Sequence, residues 1–328
     1  MPACDSRMGA AIPADEATAK RSYHGGVFAQ LGRCWLPPTG TALLFLASVV
    51  PALAGDMPES CDAKDPPANK PFDVHLSTEV ATDYIYRGVT LSAHQPAVGA
   101  SIELDRGPFY FKFEPHSVKL PTNPSAELGF AGGWCREVVK NIKLDIGLAY
   151  LYYAGEVPVG PVVSTSYAEA HATVSYDHPS EFFTVTGTYA YSPNYSNTGA
   201  WEHYVEGGLD VHMAKIFPKL LPKDIDWSIS GSVGRSWFGT QSASLGGFPL
   251  PDYTNWSLGI SFDYEPFSLS FTYSNTNLTK ENCFVFTGDL TAAPGGAIDP
   301  VTNPMGLRSN WCGPAFVGSL TYEFSPGK

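Results

Sequence analysis

Charge is scarce in this 328-residue chain: 16% of its residues are Asp, Glu, Lys or Arg, against roughly 25% in an average soluble domain. What charge there is leans acidic, with a formal net charge of −12, so the basic footprint of a nucleic-acid binder is missing. No apolar run reaches the roughly 20 residues that a membrane-crossing helix needs; residues 41–50 (TALLFLASVV) come nearest. Metal-ligand spacing is absent too. His75, His94, His116, His171, His178, His203 and His212 are scattered without an H-x-H or HExxH. No G-x-S-x-G nucleophile elbow occurs. A metal, a cofactor and an esterase or deacylase activity are therefore not expected. His203 is the nearest approach to a barrel-surface hydrolase, and its neighbouring registers offer Tyr189, Tyr191 and Trp237 in place of Ser.

What the chain does have is aromatic residues (13%), 32 Gly and 28 Pro, a composition foreign to coiled coils and helical bundles. The apolar run at 41–50 follows Lys20, Arg21 and Arg33 and precedes Ala52-Leu53-Ala54. A basic region, a short apolar core and a small-x-small site make a secretory signal peptide. The expected division is a signal at 1–54, a periplasmic segment at 55–71, a barrel at 72–324 and a tail at 325–328.

From residue 74 onward, apolar residues recur at period two, the mark of strands. Residues 74–87 alternate for fourteen positions, longer than an ordinary globular strand. Eleven further segments follow, at 97–105, 109–114, 127–134, 142–152, 168–176, 183–191, 205–213, 227–237, 256–264, 267–273 and 316–324. Tight connectors alternate with long ones, and aromatic side chains crowd the strand ends. Such a chain reads as all-β: a transmembrane antiparallel up-and-down barrel of about twelve strands, with short periplasmic turns and long external loops. Tyr84 and Tyr86 read as girdle residues of the lipid face.

The second face of each strand is small or charged. It collects Glu79, Asp83, Glu103, Asp105, Glu114, Glu127, Asp145, Glu169, Glu206, Asp210, Asp263 and Glu323, with His171, against Arg87, Lys112 and Lys143. These are the expected pore-lining residues, and their acidic excess predicts a lean toward cations. Asp83 and Arg87, four apart in one strand, would share the inner wall about 13 Å apart. Leu148 reads as lipid-facing, and Gly147 as lining open lumen where an Arg would reduce conductance more than insertion. Asp289 and Asp299 read as solvated loop charges.

Four cysteines follow the signal. Strand direction puts Cys61 and Cys135 on the periplasmic side and Cys283 and Cys312 on one external loop. The expected pairs are Cys61–Cys135 and Cys283–Cys312, out of three connectivities.

Several stretches also resemble a known family. Residues 82–88 (TDYIYRG), with Ser92, 95–97 (QPA) and Gly99, resemble the conserved opening of the TorF family of proteobacterial porins. Residues 127–132 (ELGFAG), 166–169 (SYAE), 189–195 (YAYSPNY), 253–256 (YTNW) and 271–278 (FTYSNTNL) are similar to later parts of it. The resemblance spans roughly residues 71–324. It implies a porin of the Gram-negative outer membrane that passes small polar solutes or ions. Outer-membrane lipid, lipopolysaccharide and the barrel-assembly machinery would be its partners, and a homo-oligomer is compatible with it. The alternative is a plugged structural or interaction barrel.

Overall fold

The computed structural model describes Cys61 and residues 72–162 and 164–325. The expected signal at 1–54 lies outside the described residues, as do the 55–71 segment apart from Cys61 and positions 326–328 of the tail.

Twelve antiparallel strands close into a barrel. In chain order they are β1 (Asp73–Ala81), β2 (Ala97–Arg106), β3 (Phe109–His116), β4 (Ala126–Val139), β5 (Ile142–Ala154) and β6 (Tyr167–Asp177). They continue as β7 (Phe183–Ser192), β8 (Glu202–His212), β9 (Asp226–Phe238), β10 (Tyr253–Tyr264), β11 (Phe267–Thr276) and β12 (Ala315–Phe324). Neighbours in sequence pair with each other, and β12 closes on β1 from Leu76 opposite Phe324 to Ala81 opposite Ser319. No edge is left unpaired, which satisfies every strand's backbone polar groups internally.

The alternation read from the sequence sets the two faces. Leu148 is 68% exposed and Phe316 78%, while Glu79, Glu127 and Cys135 on the opposite registers are essentially inaccessible. Val98, Ile102, Val174, Val205, Val233 and Leu258 continue the exposed apolar surface around the barrel. A belt of this extent is not carried into water by a monomeric soluble protein; it is the outward face of a membrane-spanning barrel. Aromatic pairs border it at both ends. Tyr273 and Phe316 (4.9 Å between ring centres) lie at the long-loop end, and Phe267 and Tyr322 (5.4 Å) at the short-turn end. His203 belongs to the first border, accepting or donating at 2.7 Å to the Tyr189 hydroxyl and packing on Tyr191 and Trp201.

One element departs from the period-two reading. The first strand stops at Ala81, Thr82 still bonds Gly318 on β12, and the segment after it leaves the wall and turns into the barrel. Ile85–Tyr86 and Val89–Thr90 pair as a miniature hairpin. Its two central residues, Arg87 (φ 48°) and Gly88 (φ 81°), are left-handed, the geometry of the tight hairpin turn with positive φ at both positions. Gly88 is required twice over: a Cβ there would stand 2.5 Å from Thr276 Cγ2 and 2.9 Å from Asn255 Cβ on the far wall. Tyr84 and Tyr86 are accordingly buried inside the barrel and are not lipid-face girdle residues. Asp83 and Arg87 are loop residues, not neighbours on one strand.

The last long loop, 277–314, folds over the same mouth. It carries α1 (Lys280–Thr287), capped by the Thr279 side chain, which accepts from the Asn282 N–H. Cys283 in α1 is bonded to Cys312. Both pack into an apolar cluster with Val89, Leu250, Tyr253 and Trp311. The Thr90 N–H donates to the Trp311 carbonyl at 2.9 Å, joining the first long loop to the last. Asp289, read from sequence as a solvated charge, is buried: it accepts from Ser309 at 2.7 Å and from Thr291, because it organises this loop's fold.

Candidate functional site: the lumen and its inturned loop

The lumen divides into two unlike halves. On β2–β6 the inward side chains are large, and several bond one another. Tyr110 bonds His171 at 3.1 Å, and the His171 Nε2 lies 3.0 Å from Asp145. Lys112 pairs with Glu114 at 2.9 Å, and Lys143 with Asp177 at 3.1 Å. Tyr84, arriving from the inturned loop, donates to Glu127 at 2.7 Å and stacks on His116. Glu103, Asp105, Glu114, Glu127, Asp145, Glu169 and His171 are all buried. The interior here is filled, so Gly147 does not face open space. A Cβ on it would stand 2.6 Å from the His171 ring and 2.7 Å from the Tyr110 hydroxyl. The reading of Gly147 as lining open lumen is corrected accordingly.

On β9–β12 the inward residues are mostly Ser, Thr and Gly. Hydroxyls face one another across strands: Ser228 with Ser261 (2.9 Å), Ser232 with Ser257 (2.9 Å) and Ser270 with Ser319 (2.7 Å). Ser228, Ser230, Ser232, Ser257, Ser261 and Thr272 remain partly exposed although they point inward. Short side chains leave space that the large ones opposite do not. Glu206 and Asp210 on β8 border this space; Glu206 accepts from Tyr204 at 2.6 Å, and Asp210 lies 3.5 Å from the Ser228 hydroxyl. Asp263 accepts from Ser268, and Glu323 lies partly beyond, exposed near the short-turn mouth.

Toward the long loops this space ends against the hairpin tip. Arg87 donates from Nη2 to Glu169 on β6 at 2.7 Å and from Nη1 to Glu202 on β8 at 3.0 Å. Its guanidinium centre lies 4.0 Å from the middle of the Tyr204 ring and 4.8 Å from that of Tyr86. Ser236 donates to the other oxygen of Glu202 at 2.9 Å. All three charged groups are buried. A cation held between two desolvated carboxylates and two ring faces is a latch, since withdrawing it would leave both acids unpaired.

Asp83 holds the base of the same loop. It accepts from the Thr90 hydroxyl and from Ser92 Oγ at 2.8 Å, and lies 2.7 Å from His94 Nδ1. His94 Nε2 lies 3.1 Å from the Asn310 carbonyl. Both partners are acceptors, so both ring nitrogens donate when the imidazole is protonated. The hydrogen bond to Asp83, foremost, raises the His94 pKa above its ordinary value.

At the short-turn end Cys61 is bonded to Cys135 and buried beside Tyr110, Ala131 and Ala149. Because Cys135 points inward, the bridge lies within the barrel rather than beneath it.

The fold and lumen thus define a class: a twelve-stranded membrane barrel whose polar interior is closed by an inturned first loop. The chain belongs to Gcw_chp, a family described as bacterial proteins of unknown function, whose sequence model matches residues 65–293. No curated protein matches it. Among solved structures, the NanC porin superposes with a TM-score of 0.38 at 7% identity, covering 76% of this chain and 98% of that one. LpxR from Salmonella typhimurium gives 0.34 at 10% identity, over 76% and 99%. OccK3 (OpdO) from Pseudomonas aeruginosa gives 0.34 at 10%, over 80% and 68%.

Proposed function

We propose that this protein is a TorF-type porin of the Gram-negative outer membrane. It passes small polar solutes or ions, with a lean to cations, along the hydroxyl-lined wall of β9–β12, and it carries out no chemical step. The observation that supports the reading most is the run of partly exposed Ser and Thr side chains inside a closed barrel. Such groups can replace a solute's water of hydration without binding it tightly. The carboxylates of Glu206, Asp210 and Asp263 along this passage favour counter-ions of positive sign. In this membrane the apolar belt faces phospholipid and lipopolysaccharide, and the closing strand β12 is the part offered to the barrel-assembly machinery. Subunits could associate through the belt.

The conformation described is shut on the long-loop side. Opening requires the Arg87 hairpin to leave Glu169 and Glu202. The sealed half favours a rival reading, a closed barrel that serves as an interaction scaffold. Planar-bilayer recording separates the two. Arg87→Met should raise the fraction of time the barrel conducts, and Ser230→Trp should cut the current by filling the passage. Reversal potentials across a KCl gradient should show cation preference that fades as salt shortens the Debye length from about 30 Å at 0.01 M to about 3 Å at 1 M. Anion preference at low salt would remove the cation claim. Silence from both the wild-type protein and Arg87→Met would favour the scaffold.

A further inference from the structure

The long-loop mouth holds a second compartment, a cavity of about 470 Å3 above the latch. That size lies within the range of small-molecule sites. Its aromatic walls come from Tyr86 of the inturned hairpin, Tyr153 on β5, Tyr167 on β6, Tyr195, Phe286 of α1 and Trp311. Tyr195 stacks on Phe286 at 5.8 Å and leans on Tyr167 at 5.0 Å, which fixes the rings relative to one another. Between the rings stand aliphatic side chains such as Val89 and Leu250, the Gln241 amide, and hydroxyls that already donate to carboxylates, Thr90 to Asp83 and Thr122, Ser164 and Thr165 to Glu156, and keep their lone pairs as acceptors. Among the described residues, no Asp, Glu, Lys, Arg or His lines the cavity.

We propose that this cavity binds a neutral saccharide of one or two rings, taken up from the long-loop side. A charged ligand would find no counter-charge on the walls and would lose its hydration. A wholly apolar ligand would cover the Gln241 amide and the remaining hydroxyl lone pairs without pairing them. A neutral sugar meets both surfaces: its C–H faces pack on the electron-rich ring faces, and its hydroxyls pair with the Thr, Ser and Gln groups.

The site does not depend on whether the barrel conducts, so it is tested by binding and not by current. The full chain, folded in detergent micelles, is titrated with maltose by calorimetry, with folding of each variant checked by its heat-dependent mobility in gels. Saturable binding is expected, at least tenfold tighter than that of glucuronate or glucosamine. Ser244→Trp, on the exposed rim, should abolish it by filling the cavity. Ser180→Trp, exposed in a short turn at the other end, should bind as wild type does. Absence of saturable binding by both maltose and glucose would overturn the proposal. So would equal binding by Ser244→Trp, or tighter binding of toluene than of either sugar.

Discussion

The two halves of the barrel wall share one backbone geometry and one alternation, yet end in opposite states. On β2–β6 the inward positions hold Tyr110, His116, Glu127, Asp145, Glu169 and His171, and the space between them is occupied. On β9–β12 the equivalent positions hold Ser228, Ser230, Ser232, Ser257 and Ser261, and space remains. A barrel of this strand number sits between a filled core and an aqueous channel. Side-chain volume on one half therefore decides which of the two it becomes. The inturned loop respects the same division: Tyr84 and Arg87 place their polar ends against Glu127, Glu169 and Glu202, while backbone at Gly88 slides against Asn255 and Thr276.

The largest expected effect breaks the contact between the loop and the two halves. Arg87→Met leaves Glu169 and Glu202 buried without their shared cation and should cost about 3–5 kcal/mol, measured as a fall in the denaturant midpoint of the micelle-folded barrel. Adding Glu169→Gln and Glu202→Gln to Arg87→Met should recover much of that loss. If the triple variant were no more stable than the single one, the latch would not be electrostatic.

Next come the lipid face and the filled half, tested at adjacent residues. Leu148→Arg should cost about 2–4 kcal/mol if the residue meets the bilayer midplane. Gly147→Ala should destabilise although it adds one methyl, because His171 and Tyr110 already stand where that methyl would go. Gly259→Ala on the other half meets the ends of the Ser230 and Thr272 side chains, at 2.9 and 3.1 Å, with the Phe271 carbonyl at an ordinary 3.6 Å, and should cost less. Equal losses at 147 and 259 in the same unfolding assay would erase the distinction between the halves.

Removing the Cys283–Cys312 bond with a Cys→Ser pair should cost about 3–4 kcal/mol by the loop-entropy argument, concentrated in the long-loop mouth. Hydrogen exchange should then quicken in α1 and at Thr90 while β9–β11 stay protected.

The smallest effect concerns pH. His94 joins Asp83 to the Asn310 carbonyl, with Asp289 also in its field. Its pKa is raised in the fold, so its contribution is fully present below about pH 6.5, the ordinary histidine value. It is lost as pH rises through the folded value. Exchange at the backbone of residues 90–95 should therefore quicken between mildly acidic and alkaline pH. His94→Gln should flatten that dependence; a variant that retained the wild-type profile would show that another group sets it.

Strand number, the closed antiparallel order and the lipid and lumen registers were legible because membrane barrels repeat a short local rule. Leu148 outward and Glu127 inward follow from counting by two. The cysteines could be paired on paper because strand direction assigns each to an end; the structure adds that Cys61 and Cys135 meet inside the wall. The inturned loop was not legible. Residues 82–87 keep the strand alternation unbroken, and only Gly88 interrupts it, so the pattern reads straight through a segment that leaves the sheet. For the strands that stay in the wall, the sequence by itself determined which residues belong to lipid and which to lumen, since that follows from the pleat. Only the tertiary structure decided that Arg87 lies between Glu169 and Glu202, and that a neutral aromatic cavity closes over them. Those groups come from strands and loops far apart in the chain, and no local period encodes which of them meet.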